Sequence, residues 1–269
     1  MNELRAIDAS SALRNLARAV HEYLASYGSL LLFALLCLTW SLLALPLSAL
    51  LPRRLGRRVG RRGIMGVFRL YAHWLQLIGA YRLDLSALAQ LRQPGPLILA
   101  PNHPSLIDAV LIGAYRPNLS CVMKSELMGN ILLGPGARLA RYIRNGSPRQ
   151  MVREAVEDLR HGGTLLLFPE GTRTSRQPID ALKKSIGVIA RHARVPVQTL
   201  LIETDSGFLR KGCALWTRPS LPIVYRVRLG RRFEPPQDPA AFRLELERYY
   251  RSELQQATPV SRSSASSCR

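Results

Sequence analysis

From Tyr23 to Pro52 the sequence holds no charged residue and no histidine, and its centre reads SLLLFALLCLTWSLLALPLSALL. A hydrocarbon core of about 30 Å is crossed by roughly 20 apolar residues in a helix, so this stretch is long enough to span a bilayer. A cleavable leader is the competing reading. Its apolar region would normally be shorter, and no clear A-x-A site follows here. The expectation is a retained membrane anchor. Pro46 complicates it, because proline kinks or ends helices; a bent span and a segment that dips into one leaflet are both compatible with the residues. Arg5, Arg14 and Arg18 before the segment are balanced by Glu3, Asp8 and Glu22. After it comes RRLGRRVGRR, holding Arg53, Arg54, Arg57, Arg58, Arg61 and Arg62. The positive-inside rule then predicts that the rest of the chain lies on the cytoplasmic face of the cell (inner) membrane.

The same arginines belong to a strongly basic chain, with a formal net charge of +20. Only four of the 38 basic residues are lysines, so base composition accounts for part of the bias. The placement of the charge is more telling. Six arginines beside an apolar helix are expected to attract anionic membrane lipids, by about 1 kcal/mol each near the surface. The next segment, IMGVFRLYAHWLQLIGAY at 64–81, reads as an interfacial helix or as a helix packed on the domain that follows. Cys37, Cys121, Cys213 and Cys268 are too far apart in sequence for a metal-ligand cluster or a C-x-x-C pair. They are expected to be ordinary small hydrophobes, with no disulfide framework and no bound metal. The organisation expected is a flank at 1–22, a membrane anchor at 23–52, a basic juxtamembrane and interfacial helix at 53–82, a soluble domain at 83–257, and a serine-rich disordered tail at 258–269.

Beyond Leu83, short apolar runs alternate with amphipathic stretches. LILA at 97–100, SCVMK at 120–124, RYI near 142, TLLLF at 164–168, VPVQTLLIE and PIVYRVRLG read as strands. Helices are expected at 105–115, from Pro148 to about His161, at 181–193 and at 239–257. TLLLF is wholly apolar and bounded by Gly and Pro, as a strand buried on both faces should be. The fold class expected is α/β, with a mixed, largely parallel central sheet flanked by helices and preceded by the N-terminal membrane helix.

Two stretches carry chemistry. In LILAPNHPSLID, His103 leaves the end of a strand, where α/β sheets usually place their sites, and Asp108 follows five residues later. A carboxylate beside an imidazole fixes its tautomer and raises its basicity. Such a histidine can take a proton from an alcohol. Alone, the spacing is weak, since a strand-end histidine is more often structural. In FPEGTR, at the end of the strongest strand, the glycine lets backbone N–H groups approach a ligand and the arginine can fork onto a phosphate.

NHPSLID followed some sixty residues later by FPEGTR resembles the glycerolipid acyltransferases, specifically the 1-acyl-glycerol-3-phosphate acyltransferases. The resemblance covers roughly Leu97 to Ile202. It implies that His103 is the general base and that Asp108 orients it. It also implies that Glu170, Gly171, Thr172 and Arg173 bind the acceptor's glycerol phosphate. A third family block is matched only partly by RYIRNG, which puts Arg144 in its arginine position, and Lys124 stands where members often carry a basic residue. The family's last block departs here: Pro196 is kept, but Gln198 and Thr199 replace a hydrophobe and a second proline. The following IETDSGFLRKG is also unlike the usual sequence, so that region is expected to shape the acceptor site.

The reaction implied is acyl transfer from a thioester, acyl-CoA or acyl carrier protein, to the free hydroxyl of a lysophospholipid, with no cofactor and no metal. The G-x-S-x-G elbow is absent, so an acyl-serine intermediate is not expected. The same chemistry on a lyso-aminolipid or another specialised lipid is the second reading. A non-catalytic membrane protein that binds anionic lipid or nucleic acid is the third. Aromatics are only 7% of the chain and are not interleaved with the basic residues, so no nucleic acid partner is expected.

Overall fold

The structure, a computed structural model, describes residues 2–91, 95–176, 178–214 and 217–256, with side chains from residue 12 onward. The serine-rich tail at 258–269 lies outside the described residues. In chain order the elements are α1 (Asn2–Leu50), α2 (Arg53–Leu77), β1 (Tyr81–Asp84), α3 (Ser86–Gln90), β2 (Leu97–Pro101), α4 (Asp108–Gly113), β3 (Leu119–Lys124), α5 (Ser125–Gly129), α6 (Gly134–Leu139), β4 (Ile143–Asn145), α7 (Pro148–Arg160), β5 (Thr164–Leu166), α8 (Ser185–Ala193), β6 (Val197–Thr204), β7 (Ile223–Phe233) and α9 (Pro239–Gln256).

Helix α1 runs unbroken for 49 residues, through the expected flank and past Pro46. Proline removes one i→i−4 bond, and here it does so close to the helix end, where little helix remains to be disrupted. Ala12–Leu50 is long and apolar enough to cross a membrane. Its faces differ, however. Glu22, Ser26, Ser29, Cys37, Ser41 and Ala44 are buried at helical spacing, whereas Leu24, Leu31, Leu35, Leu42, Leu43 and Leu45 are exposed. The buried stripe is fastened to the domain by Ser41 Oγ donating to Leu132 O at 2.7 Å and by Glu22, which meets Arg218 Nε at 3.3 Å. At ~1.5 Å per residue, Glu22 to Ala44 spans about 33 Å along the domain.

The expected basic flank and the helix after it are one element, α2. Its arginines do not all face outward. Arg53, Arg54, Arg58 and Arg62 are exposed, but Arg61 is 2% exposed and Arg57 is half-buried. Arg61 Nη2 reaches Asp158 Oδ1 at 2.6 Å, Nη1 reaches Asn118 Oδ1 at 2.8 Å, and Nε donates to Ala140 O at 3.1 Å. Arg57 adds a second contact to the same carboxylate oxygen, and Ser120 Oγ donates to Asp158 Oδ2 at 2.7 Å. The expectation that all six arginines serve lipid headgroups is thus corrected for Arg57 and Arg61, which dock α2 on the domain. A Cβ on Gly60 would stand 2.4 Å from Ala140 N, so the backbones of α2 and α6 touch there. Gly60→Ala is expected to cost about 1–3 kcal/mol by forcing them apart, measured as a lower denaturation midpoint.

The seven strands form one sheet in the order β1-β7-β6-β2-β5-β3-β4. All neighbours are parallel except β6 and β7. Successive residues of β2 go to opposite faces. Leu97 and Leu99 join a core with Tyr71, Leu75 and Leu111, while Ile98 and Ala100 join one with Leu159, Ile186 and Leu246. Helices therefore cover both faces, as an apolar parallel strand requires. Strand β1 begins before the expected boundary at 82–83 and extends the sheet past the antiparallel pair. The helix expected at 105–115 is shorter, and Asp108 opens it rather than lying one turn inside. Cys37 and Cys121 are free and buried, with the Cys121 thiol pushed up to about 12 by burial. Cys213 is disulfide-bonded, which corrects the expectation for that cysteine.

Candidate active site

Strands β2 and β5 pair in parallel, with Leu99 opposite Leu166, so the loops that follow them leave the same edge of the sheet side by side. His103 stands in the first loop and Phe168–Arg173 forms the second. His103 Nδ1 lies 2.8 Å from Asp108 Oδ2. That same oxygen accepts the Ser105 backbone N–H at 2.9 Å, and Tyr225 Oη donates to Oδ1 at 2.7 Å. Burial pushes the Asp108 carboxyl up, while these three partners pull it back down. Burial and the neighbouring Asp108 hold the Tyr225 phenol well above its ordinary value, so it stays a donor. With Nδ1–H pointing at the carboxylate, the neutral imidazole presents the Nε2 lone pair. The ring stacks on Phe168, with centroids 3.7 Å apart.

The second loop is tied to the first through Glu170. Its Oε1 accepts the His103 backbone N–H at 3.0 Å and Thr174 Oγ1 at 2.8 Å, and its Oε2 accepts the Asp180 N–H at 2.9 Å. The side chain is buried, which raises the Glu170 carboxyl. Both oxygens are thus engaged within the protein. Gly171 is exposed with φ +72°, a left-handed conformation that a side chain disfavours, and Lys183 packs beside it. Thr172 is half-buried on the same turn. Arg173 Nη1 donates to Leu209 O at 2.9 Å, which leaves four of its five N–H donors for other partners.

Lys124 and Arg144 are exposed at the carboxyl-terminal ends of β3 and β4, on the same edge of the sheet. At ~4.8 Å between strands they stand two and three strands from β2, roughly 10 and 14 Å away. No hydrogen bond or ion pair joins either to the His103 cluster among the described residues. Gln198 and Thr199 do not reach the site. Gln198 Nε2 donates to Gly230 O at 2.7 Å and Thr199 Oγ1 to Arg231 O at 2.7 Å, so both hold the register shift between β6 and β7. The segment after them does reach it. Leu209 O accepts the Leu106 N–H as well as Arg173, and Phe208 O accepts Ser105 Oγ.

Tyr225 was not among the residues expected in the site. Its signal was present, because Tyr225, Val227 and Leu229 alternate with Arg226 and Arg228, and an inward tyrosine hydroxyl needs a buried partner. Among the described residues no group of three or more His, Cys, Asp and Glu side chains is placed to hold a metal ion.

No curated protein matches this chain. Its structure is similar to the crystal structure of the 1-acyl-sn-glycerophosphate (LPA) acyltransferase PlsC from Thermotoga maritima, with a TM-score of 0.66 and 21% identity, covering 93% of this chain and 99% of that one. At that identity the likeness speaks for the fold. Residues 82–203 match the family model described as Acyltransferase, and that segment contains His103, Asp108 and the Phe168–Arg173 loop. The likeness to the acyltransferase family thus rests on this segment, which holds His103 with its partners Asp108 and Glu170.

Proposed function

We propose that this chain moves a fatty acyl group from acyl-CoA or acyl carrier protein to the free hydroxyl of 1-acyl-glycerol-3-phosphate, giving phosphatidic acid. The observation that carries the reading is the bond from His103 Nδ1 to the buried Asp108, which leaves Nε2 free to accept a proton. As the acceptor oxygen attacks the thioester carbonyl, its proton passes to Nε2. The C–S bond then breaks, and the proton leaves on the thiol. The imidazolium formed on the way lies against a carboxylate in a poorly solvated site, where the attraction is stronger than in water. Arg173, with Gly171, Thr172 and Lys183 around it, suits the acceptor's phosphate, and Lys124 and Arg144 extend a basic edge beyond it.

Glu170 acts through His103 in this reading, not on the acceptor. In Glu170→Gln the amide must turn its NH2 towards a backbone N–H on one side. Loss of one charged hydrogen bond is worth about 1.5–3 kcal/mol. We expect kcat to fall by roughly ten- to a hundredfold with KM little changed; a rise in KM alone would make Glu170 an acceptor ligand after all.

The protein associates with the membrane through α1. Since its buried stripe lies along the domain for about 33 Å, the leucine face enters one leaflet with the domain against the cytoplasmic surface of the cell membrane. The exposed arginines of α2 meet anionic lipids there.

A second reading keeps the chemistry and changes the acceptor to a lyso-aminolipid or specialised lipid. It is favoured by the unusual segment around Phe208 and Leu209, which packs directly on the site. Purified chain should be offered both donors against lysophosphatidic acid and against unphosphorylated and differently headed lyso-lipids. Phosphatidic acid as the main product supports the first reading; turnover confined to another acceptor supports the second, and no transfer with any of them contradicts both.

A further inference from the structure

A cavity of about 510 Å³ lies between α2, α3 and the turn that follows α4, at the amino-terminal edge of the sheet. The catalytic loops leave the opposite edge. Its polar lining is Arg69, His73, Gln76, Tyr115 and Arg116, with no carboxylate among the described residues. Neither arginine has an ion-pair partner among the described residues. Each is instead aimed by neutral oxygens. Arg69 Nε donates to Ala114 O at 3.2 Å, while Arg116 donates to Leu91 O and, at 3.2 Å, to Thr164 Oγ1. Burial pulls the Arg116 guanidinium down, a cost that no acid among the described residues offsets.

The surroundings show where a ligand would come from. Arg69, His73 and Gln76 share one side of α2, and the next side carries Leu70, Trp74 and Leu77, all exposed. Trp74 Nε1 donates to Ser29 on the buried stripe of α1, which sets this apolar strip beside the helix whose leucine face is proposed to enter the membrane. The cavity thus combines two guanidinium groups and an imidazole beside that helix.

From this placement we propose that the cavity is a second anion site, separate from the catalytic one, that receives a phosphate monoester. Two sources share that chemistry: the headgroup of an anionic lipid in the leaflet and a soluble glycerol phosphate. The lipid source rests on the membrane reading above; the soluble source does not.

The test uses Arg69→Gln/His73→Gln in the full chain, two exposed positions whose replacement leaves the ties of Arg116 intact. Arg191→Gln/His192→Gln, exposed at the end of α8 on the other face of the sheet, is the charge-matched control. One arm measures sedimentation with phosphatidylcholine vesicles, alone and doped with phosphatidic acid. The other titrates glycerol 2-phosphate calorimetrically into detergent-solubilised protein, with the catalytic site present in every variant. We expect the cavity pair to weaken one of these interactions by about tenfold or more while the control pair does not. Loss on doped vesicles, with binding to phosphatidylcholine unchanged, identifies the lipid source, and loss in the titration identifies the soluble one. If both interactions survive in the cavity pair, or if the two pairs lose equally, the site is overturned. Failure of the wild type to bind any vesicle contradicts the membrane reading alone, and the titration still decides the cavity.

Discussion

Replacing Asp108 with asparagine should lower turnover by about 10²–10⁴-fold, the share that a positioned acid–base group typically supplies. The local geometry makes this substitution informative. Asp108 Oδ2 accepts from both Ser105 N–H and His103, so the amide oxygen of asparagine should take that position. The amide NH2 then faces Tyr225 Oη, which can turn and accept. The tautomer of His103 is kept and only the negative charge is lost. The fall in kcat therefore reads how far the carboxylate stabilises the imidazolium. Alanine at the same position would also leave the Tyr225 hydroxyl and the Ser105 N–H unpaired, and should cost stability as well. A kcat within threefold of wild type for Asp108→Asn would show that His103 works without its partner's charge.

Asp158→Ala should destabilise the protein by about 3–5 kcal/mol, because it strands an arginine with no exposed surface on its side chain. Arg61→Met should cost less. In that variant Asp158 keeps Arg57 and the Ser120 hydroxyl, and the thioether fills the volume of the arginine stem. The order matters more than the sizes. Denaturation midpoints should fall further for Asp158→Ala than for Arg61→Met. The reverse order would mean that Arg61 matters chiefly through its bonds to Ala140 and Asn118.

Much of the fold was legible because its signals are local. Strands β2, β3 and β5 are short apolar runs with turn residues on either side, and α7 starts at Ser147-Pro148 and stops before Gly162-Gly163. Strand β1 was missed because four residues pairing with β7, some 140 positions later, carry no periodic pattern of their own. The core of the site was legible for a similar reason: His103 and Asp108 share one turn. Tyr225 comes from β7, and only the folded sheet brings it to Asp108. Arg61 shows the opposite error. In a run of arginines each residue reads as solvated, yet the helical period turns one of them inward every three to four positions. The departure at Gln198 and Thr199 was visible, but its meaning was not. Those side chains hold a bulge, and the segment after them bears on Ser105, Leu106 and Arg173.

Of all the measurements, the most direct follows a labelled acyl group from a thioester to lysophosphatidic acid, using purified wild type and His103→Ala side by side. The account predicts labelled phosphatidic acid from the wild type and a loss of turnover in the variant of at least the size expected for Asp108→Asn. His103→Ala should also lower the denaturation midpoint, since it takes the ring from the buried Asp108 and from Phe168, so the two are compared at a temperature where both are folded. Equal product from both proteins would contradict His103 as the base.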